Sequence, residues 1–149
     1  AGLNSSEKKR FRFWNGLVEK INDYSLTLPR LREGMVFSYS ISSDWAGIEL
    51  YFYHEDFRIN QKRFKQLEAH KHEIEKTFES IAWHPLRNFF WSFNENRSHQ
   101  KIMYKFTDLG LRNEAKWEHL QTLMVDGMRC LTAALDQFLR KFQMINDVE

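Results

Sequence analysis

Apolar positions change their spacing along the chain, and each change predicts an element. After Ser5 and Ser6, both good N-cap types, Phe11, Trp14, Leu17, Val18 and Ile21 recur at three- and four-residue steps, the spacing of one helix face. Pro29 lacks an amide donor and disfavours helical geometry in the residue before it, so this helix should stop near Tyr24 or Ser25. A loop through Arg30, Arg32 and Gly34 follows. From Met35 to Ser42 the step becomes two, with Met35, Phe37, Tyr39 and Ile41 on one face and Ser38, Ser40 and Ser42 on the other. Ser42, Ser43, Asp44 and Gly47 surround a turn, after which Ile48, Leu50 and Phe52 alternate with Glu49, Tyr51 and Tyr53. The two strands form a hairpin.

Beyond the charged stretch His54, Glu55 and Asp56, Asn60 is placed to cap a second helix whose apolar side is Phe64, Leu67, Lys71, Ile74 and Phe78. Lys71 interrupts the stripe, and its aliphatic stem is expected along the seam with the ammonium in water. Pro85 closes the segment. Two more strands are predicted around Phe89 to Phe93 and Lys101 to Phe106, with Asn94 to Ser98 as their turn. Ile102, Tyr104 and Phe106 would face the core, opposite Lys101, Met103 and Lys105. A last helix, capped by Asn113, carries the stripe Trp117, Leu120, Met124, Met128, Leu131, Leu135, Phe138 and Phe142. Gly127 within it costs about 1 kcal/mol relative to alanine, which predicts a close packing contact there. The pattern as a whole predicts one α+β domain over residues 1–149, an antiparallel sheet of about four strands packed with three helices in the order α-β-β-α-β-β-α.

Composition supports a folded chain. Aromatic residues make up 15% of 149 positions, and six Gly and two Pro leave little for long linkers. Cys130 is the sole cysteine, which rules out an intrachain disulfide or a multi-cysteine zinc cluster and favours a reducing compartment. No apolar run approaches the roughly 20 residues of a membrane helix. Lys8, Lys9 and Arg10 lead into a helix without the apolar core of a signal peptide, so no membrane partner and a cytoplasmic location are expected. A formal charge of +2 does not by itself imply a polyanionic partner.

Chemistry narrows further. His70 and His72 lie two apart on a predicted helix and point to roughly opposite sides, so they cannot share a metal ion. The element order is close to that of metal-dependent nucleases of the PD-(D/E)xK type, whose site needs carboxylates on adjacent strands and a lysine. Asp44 and Glu49 are the best-spaced acids, but Tyr51 stands where that pattern wants lysine. They read more simply as a turn residue and a strand residue. No Gly-x-Ser-x-Gly elbow or phosphate-binding glycine loop occurs, no cofactor is implied, and Cys130 reads as a core residue. What remains is the second face of the sheet. Tyr51 and Tyr53 share one side of their strand and Lys101 and Lys105 one side of theirs, a combination suited to stacking bases and contacting phosphates. The simpler account is that tyrosine favours strands and that a helix or partner covers this face. Arg10, Arg12, Arg58, Lys62, Arg63 and Lys65 would extend a basic rim, unless they are only solvated helix charges.

The chain resembles the bacterial and archaeal family known as domain of unknown function 4268. The resemblance rests on Phe13-Trp14, Phe37-Ser38-Tyr39, Ile48-Glu49-Leu50-Tyr51-Phe52, Asn60-Gln61-Lys62-Arg63-Phe64, Lys71-His72-Glu73-Ile74-Glu75, Trp83, Lys101-Ile102 and Lys116-Trp117, in order along nearly the whole chain. Before Met35 the family's tryptophan-containing segment is reduced to Leu31, Arg32, Glu33 and Gly34, so a first, additional strand is not counted. The resemblance implies a domain often placed behind restriction-type nuclease modules, and supplies no catalytic residues. The expectation is therefore a non-catalytic accessory or interaction domain whose partner is nucleic acid, by analogy, or a protein. Its alternatives are a degenerate nuclease using Asp44 and Glu49, and a homodimerisation domain.

Overall fold

The computed structural model describes residues 2–82 and 88–146; the expected boundary at Pro85, and Trp83, lie outside the described residues. The first helix, α1, spans Ser5–Asp23. Its cap is Asn4 rather than Ser5 or Ser6. The Asn4 side chain accepts from the Glu7 amide at 2.8 Å and the Glu7 carboxylate accepts from the Asn4 amide at 3.1 Å, so two otherwise orphaned donors are satisfied together. The helix ends one residue before Tyr24, and Ser25 turns the chain away at a φ of 51°. Its buried residues are Phe13 and Leu17, while Phe11 and Val18 are more than half exposed. Leu17 is buried and Trp14 and Ile21 pack against the core as the stripe predicts, so the stripe errs only at its margins. Phe13 wins because its ring meets Trp14 and Trp117 edge-on, and the Phe13 carbonyl accepts from buried Gln121 at 3.0 Å.

Strands β1 (Met35–Ile41) and β2 (Trp45–Phe52) form the expected hairpin, closed by a bond from the Ser42 amide to the Trp45 carbonyl at 2.8 Å. Gly47 lies inside β2 rather than in the turn. The predicted second helix is two helices, α2 (Phe57–Glu68) and α3 (Lys71–Ile81). Asp56, not Asn60, caps α2, accepting from the Arg58 amide; hydrogen bonding from the Arg58 side chain holds the Asp56 carboxyl below its ordinary range. Asn60 is fully buried and used elsewhere, as described below. The break falls at Ala69 and His70, where the His70 ring stacks on Phe138 at 4.4 Å. Seating that ring turns the chain, so Lys71 is exposed and does not lie along an apolar seam.

Strands β3 (Phe89–Ser92) and β4 (Gln100–Thr107) follow, then one 3₁₀ turn at Glu114–Lys116 and the long α4 (Trp117–Lys141). Asn113 precedes the 3₁₀ turn and its side chain makes no capping bond. Leu31 pairs only as an isolated bridge with Ile145, in keeping with the shortened segment there. The sheet is antiparallel throughout, in the order β1-β2-β4-β3, so β2 and β4 are central.

One sheet face is covered. Ile48, Leu50, Phe52 and Ile102 are fully buried, with Tyr104 and Phe106 nearly so. Helix α4 crosses this face at Gly127, where an added Cβ would lie 2.9 Å from Phe106 Cζ and 3.0 Å from Ile48 Cδ1. The expected close contact is present, and it is what the glycine permits. Phe64 of α2 packs on Phe52 and Trp91, and Phe78 of α3 on Phe89 and Tyr104. Buried positions encircle more of α4 than one stripe, because Leu123, Val125, Ala134 and Leu139 are also enclosed. The helix is flanked by α1 and α3 as well as the sheet. Cys130 is part of this core, and burial pushes its thiol up. No helix among the described residues is long and apolar enough to cross a membrane.

Candidate functional site

Strand alternation sends the other half of the sheet's side chains to the opposite side, and the pairing register sorts them into rows. The first row runs Val36, Tyr51, Lys101, Ser92; the next Ser38, Glu49, Met103, Phe90; the third Ser40, Gly47, Lys105; Trp45 and Thr107 end the series. On this side Val36, Tyr53 and Phe90 are each about 40% exposed, while Met103 in the middle of it is buried.

The first row holds Tyr51 and Lys101, two of the four sequence-predicted residues, and Tyr53 stands beside it just beyond β2. Tyr51 and Tyr53 stand nearly parallel, with centroids 6.0 Å apart at 14°. The Tyr51 hydroxyl is hydrogen-bonded to His99 Nδ1 at 2.7 Å, and Tyr51 is paired across the strands with Lys101. Lys105 is separate. It stands four residues further along β4, roughly 13 Å at about 3.3 Å per residue. There its ammonium lies 4.4 Å from the Trp45 ring centroid and 5.0 Å from that of Phe90. The face therefore has two aromatic-cationic ends. Between them Glu49 accepts from the Ser38 hydroxyl at 3.0 Å and lies 3.8 Å from Lys101 Nζ. Gly47 gives Met103 room: a Cβ there would come within 2.9 Å of the Met103 methyl.

Asp44 and Glu49 are not brought together. Asp44 lies in the bend before β2, whereas Glu49 lies within the strand. Asp44 sits beyond the end of β2, ion-paired with Arg112 at 3.1 Å. Among the described residues no group of three or more His, Cys, Asp or Glu could hold a metal ion. The basic helix residues are mostly engaged: Arg10 donates to the Ile41 carbonyl, Arg12 pairs with Glu114, Arg58 with Asp56, Arg63 donates to the Glu33 carbonyl and Lys65 lies over Phe93.

Residues 9–139 match the family described as Domain of unknown function (DUF4268), a span that reaches from α1 into the last turn of α4. The chain belongs to the DUF4268 family. No curated protein and no solved structure matches it. In this DUF4268 member the same face also carries Trp45 and Phe90, with His99 and Arg97 at its border. Trp45 follows the same alternation as Tyr51 and was legible from it; Phe90 likewise alternates with Phe89 and Trp91. His99 and Arg97 had no such signal, because they sit in the β3–β4 loop and reach Tyr51 and its neighbourhood only once the strands pair.

Proposed function

We propose that this domain is a non-catalytic interaction module that binds single-stranded nucleic acid across the open face of its sheet. The observation that carries the reading is that rings and cations from the two central strands share the sheet face opposite the core, with Tyr53 and Phe90 exposed at its margins. Bases stack on exposed rings at about 1–3 kcal/mol each, and ammonium groups beside them meet phosphates. The placement of DUF4268 domains behind restriction-type nuclease modules, which the resemblance implies, suits such a role by analogy.

Titration of labelled single- and double-stranded DNA at two salt concentrations tests this. Binding should be specific to the single strand, salt-sensitive and independent of magnesium. Tyr53→Ala should weaken it by about 5- to 150-fold, which is about 1–3 kcal/mol per stacked base. Absence of binding at low salt removes the reading. Magnesium-dependent cleavage that is lost in Glu49→Ala would favour the nuclease instead.

A second reading, self-association through the same face, is supported by the exposure of Val36 and Phe90 on the two edge strands. Mass in solution at several concentrations distinguishes it, since a dimer on this face would compete with the single strand.

A further inference from the structure

The β3–β4 loop borders the open face with a polar cavity of about 470 Å³. Tyr51, Ser92, Asn96, Arg97, His99 and Lys101 line it. Two buried amides fix this loop before any ligand arrives. Gln100, 2% exposed, donates from Nε2 to the Asn94 and Arg97 carbonyls at 2.8 and 3.1 Å and accepts from the Asn94 amide at 2.8 Å. Asn60, fully buried in α2, donates to the Ser98 carbonyl at 2.7 Å and ties the same loop to His54. A loop pinned at Asn94, Arg97 and Ser98 loses little freedom on binding.

The lining is rich in donors and contains no carboxylate. Arg97 has no carboxylate within ion-pairing distance among the described residues. Lys101 shares Glu49 at a loose 3.8 Å and is 40% exposed. When the Tyr51 hydroxyl donates to His99 Nδ1, the ring hydrogen sits on Nε2 and is available to a ligand. A guanidinium, an ammonium, an imidazole N–H, a serine hydroxyl and an amide around one cavity suit a tetrahedral oxyanion. Tyr51 belongs both to this cavity and to the ring pair with Tyr53.

We propose that the cavity binds a phosphate group of the nucleotide whose base stacks on the Tyr51–Tyr53 pair. The proposal rests on the reading of the open face as a single-strand platform. A terminal phosphate and an internal backbone phosphate offer the cavity the same chemistry.

Three probes separate the two claims: inorganic phosphate, a deoxynucleoside monophosphate beside its unphosphorylated nucleoside, and a single-stranded oligonucleotide with and without a 5′-phosphate. Binding is followed by the NMR signals of the His99 ring and the Arg97 side chain. The monophosphate should bind about tenfold more tightly than the nucleoside, as a charge-assisted contact provides. Arg97→Ala should remove that preference and lower the slope of log affinity against log salt for the oligonucleotide by about 0.7, the loss of one single-strand phosphate contact. Retention of preference in the oligonucleotide with a 5′-phosphate identifies the terminal group, and a slope change without it identifies the backbone. If single strands bind but both Arg97→Ala and Lys101→Gln leave slope and preference unchanged, the cavity assignment is overturned while the platform stands. If phosphate shifts the His99 and Arg97 signals in a protein that binds no single strand, the cavity is a phosphate site and the platform reading fails. No response to any probe overturns both.

Discussion

The two faces of the sheet come from the same strands and differ by a single step of alternation. On β2, Ile48, Leu50 and Phe52 are fully enclosed under α2 and α4, while Glu49 and Tyr51 keep contact with water and Tyr53, just beyond the strand, is 44% exposed. Each buried side chain of the first set contributes about 1.5–3 kcal/mol. The second set is ordered without being enclosed: the tyrosines by each other and by His99, and Glu49 by Ser38 and Lys101. The first set carries the core, and the second holds the groups to which the proposed binding is assigned. Substitutions on the open face should leave the fold in place and change what it binds.

The largest effect that would break this comparison is on the covered side. Ile102→Ala, in a fully buried site on a central strand, should destabilise the protein by about 2–5 kcal/mol in chemical denaturation. A loss below 1 kcal/mol would mean that the covered face is not the core. Gly127→Val comes next, at about 1–3 kcal/mol, because its side chain must displace Phe106 and Ile48 from α4. A stabilised Gly127→Val protein would contradict that contact.

Tyr39 sharpens the comparison, since it points to the covered side from an edge strand. Its hydroxyl is buried without a hydrogen-bond partner, and burial pushes its pKa up to about 12 from 10.0. Because the folded value lies above the unfolded one, the neutral hydroxyl's contribution is intact below pH 10 and is lost as pH rises toward 12. Denaturation midpoints should fall across that window, and Tyr39→Phe should flatten the fall while raising stability at neutral pH by about 1 kcal/mol. Identical alkaline profiles in the two proteins would rule out Tyr39 as the source. The smallest effect is expected at Glu49→Gln, which keeps an acceptor for Ser38 and removes a negative charge from the face proposed to bind. Stability should change by less than about 1 kcal/mol, and single-strand affinity should rise by about two- to fivefold. Weaker binding would place Glu49 among the groups that hold the ligand.

Much of this was legible in the residues. The strand faces followed from period two, and Ile102, Tyr104 and Phe106 are buried as the alternation required. Helix α4 followed from its stripe, and Gly127 from its cost within it. In α1 the stripe holds at Trp14, Leu17 and Ile21, but Phe11 and Val18 are exposed and Phe13 is the anchor, because three- and four-residue steps define a spacing that two adjacent faces can satisfy. The break between α2 and α3 left only Lys71 as a trace in the stripe. Its cause, the stacking of His70 on Phe138, joins residues 68 positions apart. Asn60 shows the same limit: a good capping type became a buried clamp on Ser98 once Asp56 took the cap.

The sequence by itself determined which residues alternate, which helices carry apolar stripes, and that Tyr51 and Tyr53 share one side of a strand, since these depend only on backbone period and neighbouring positions. The tertiary structure decided which sheet face the helices cover, that Lys101 stands beside Tyr51 while Lys105 is held by Trp45 and Phe90, and that Arg97 and His99 border the same surface. Those facts depend on the order and register in which β2, β4 and β3 pair. That pairing is set by the fit of α2 and α4 against the covered face, a contact between segments distant in the chain that no local spacing encodes.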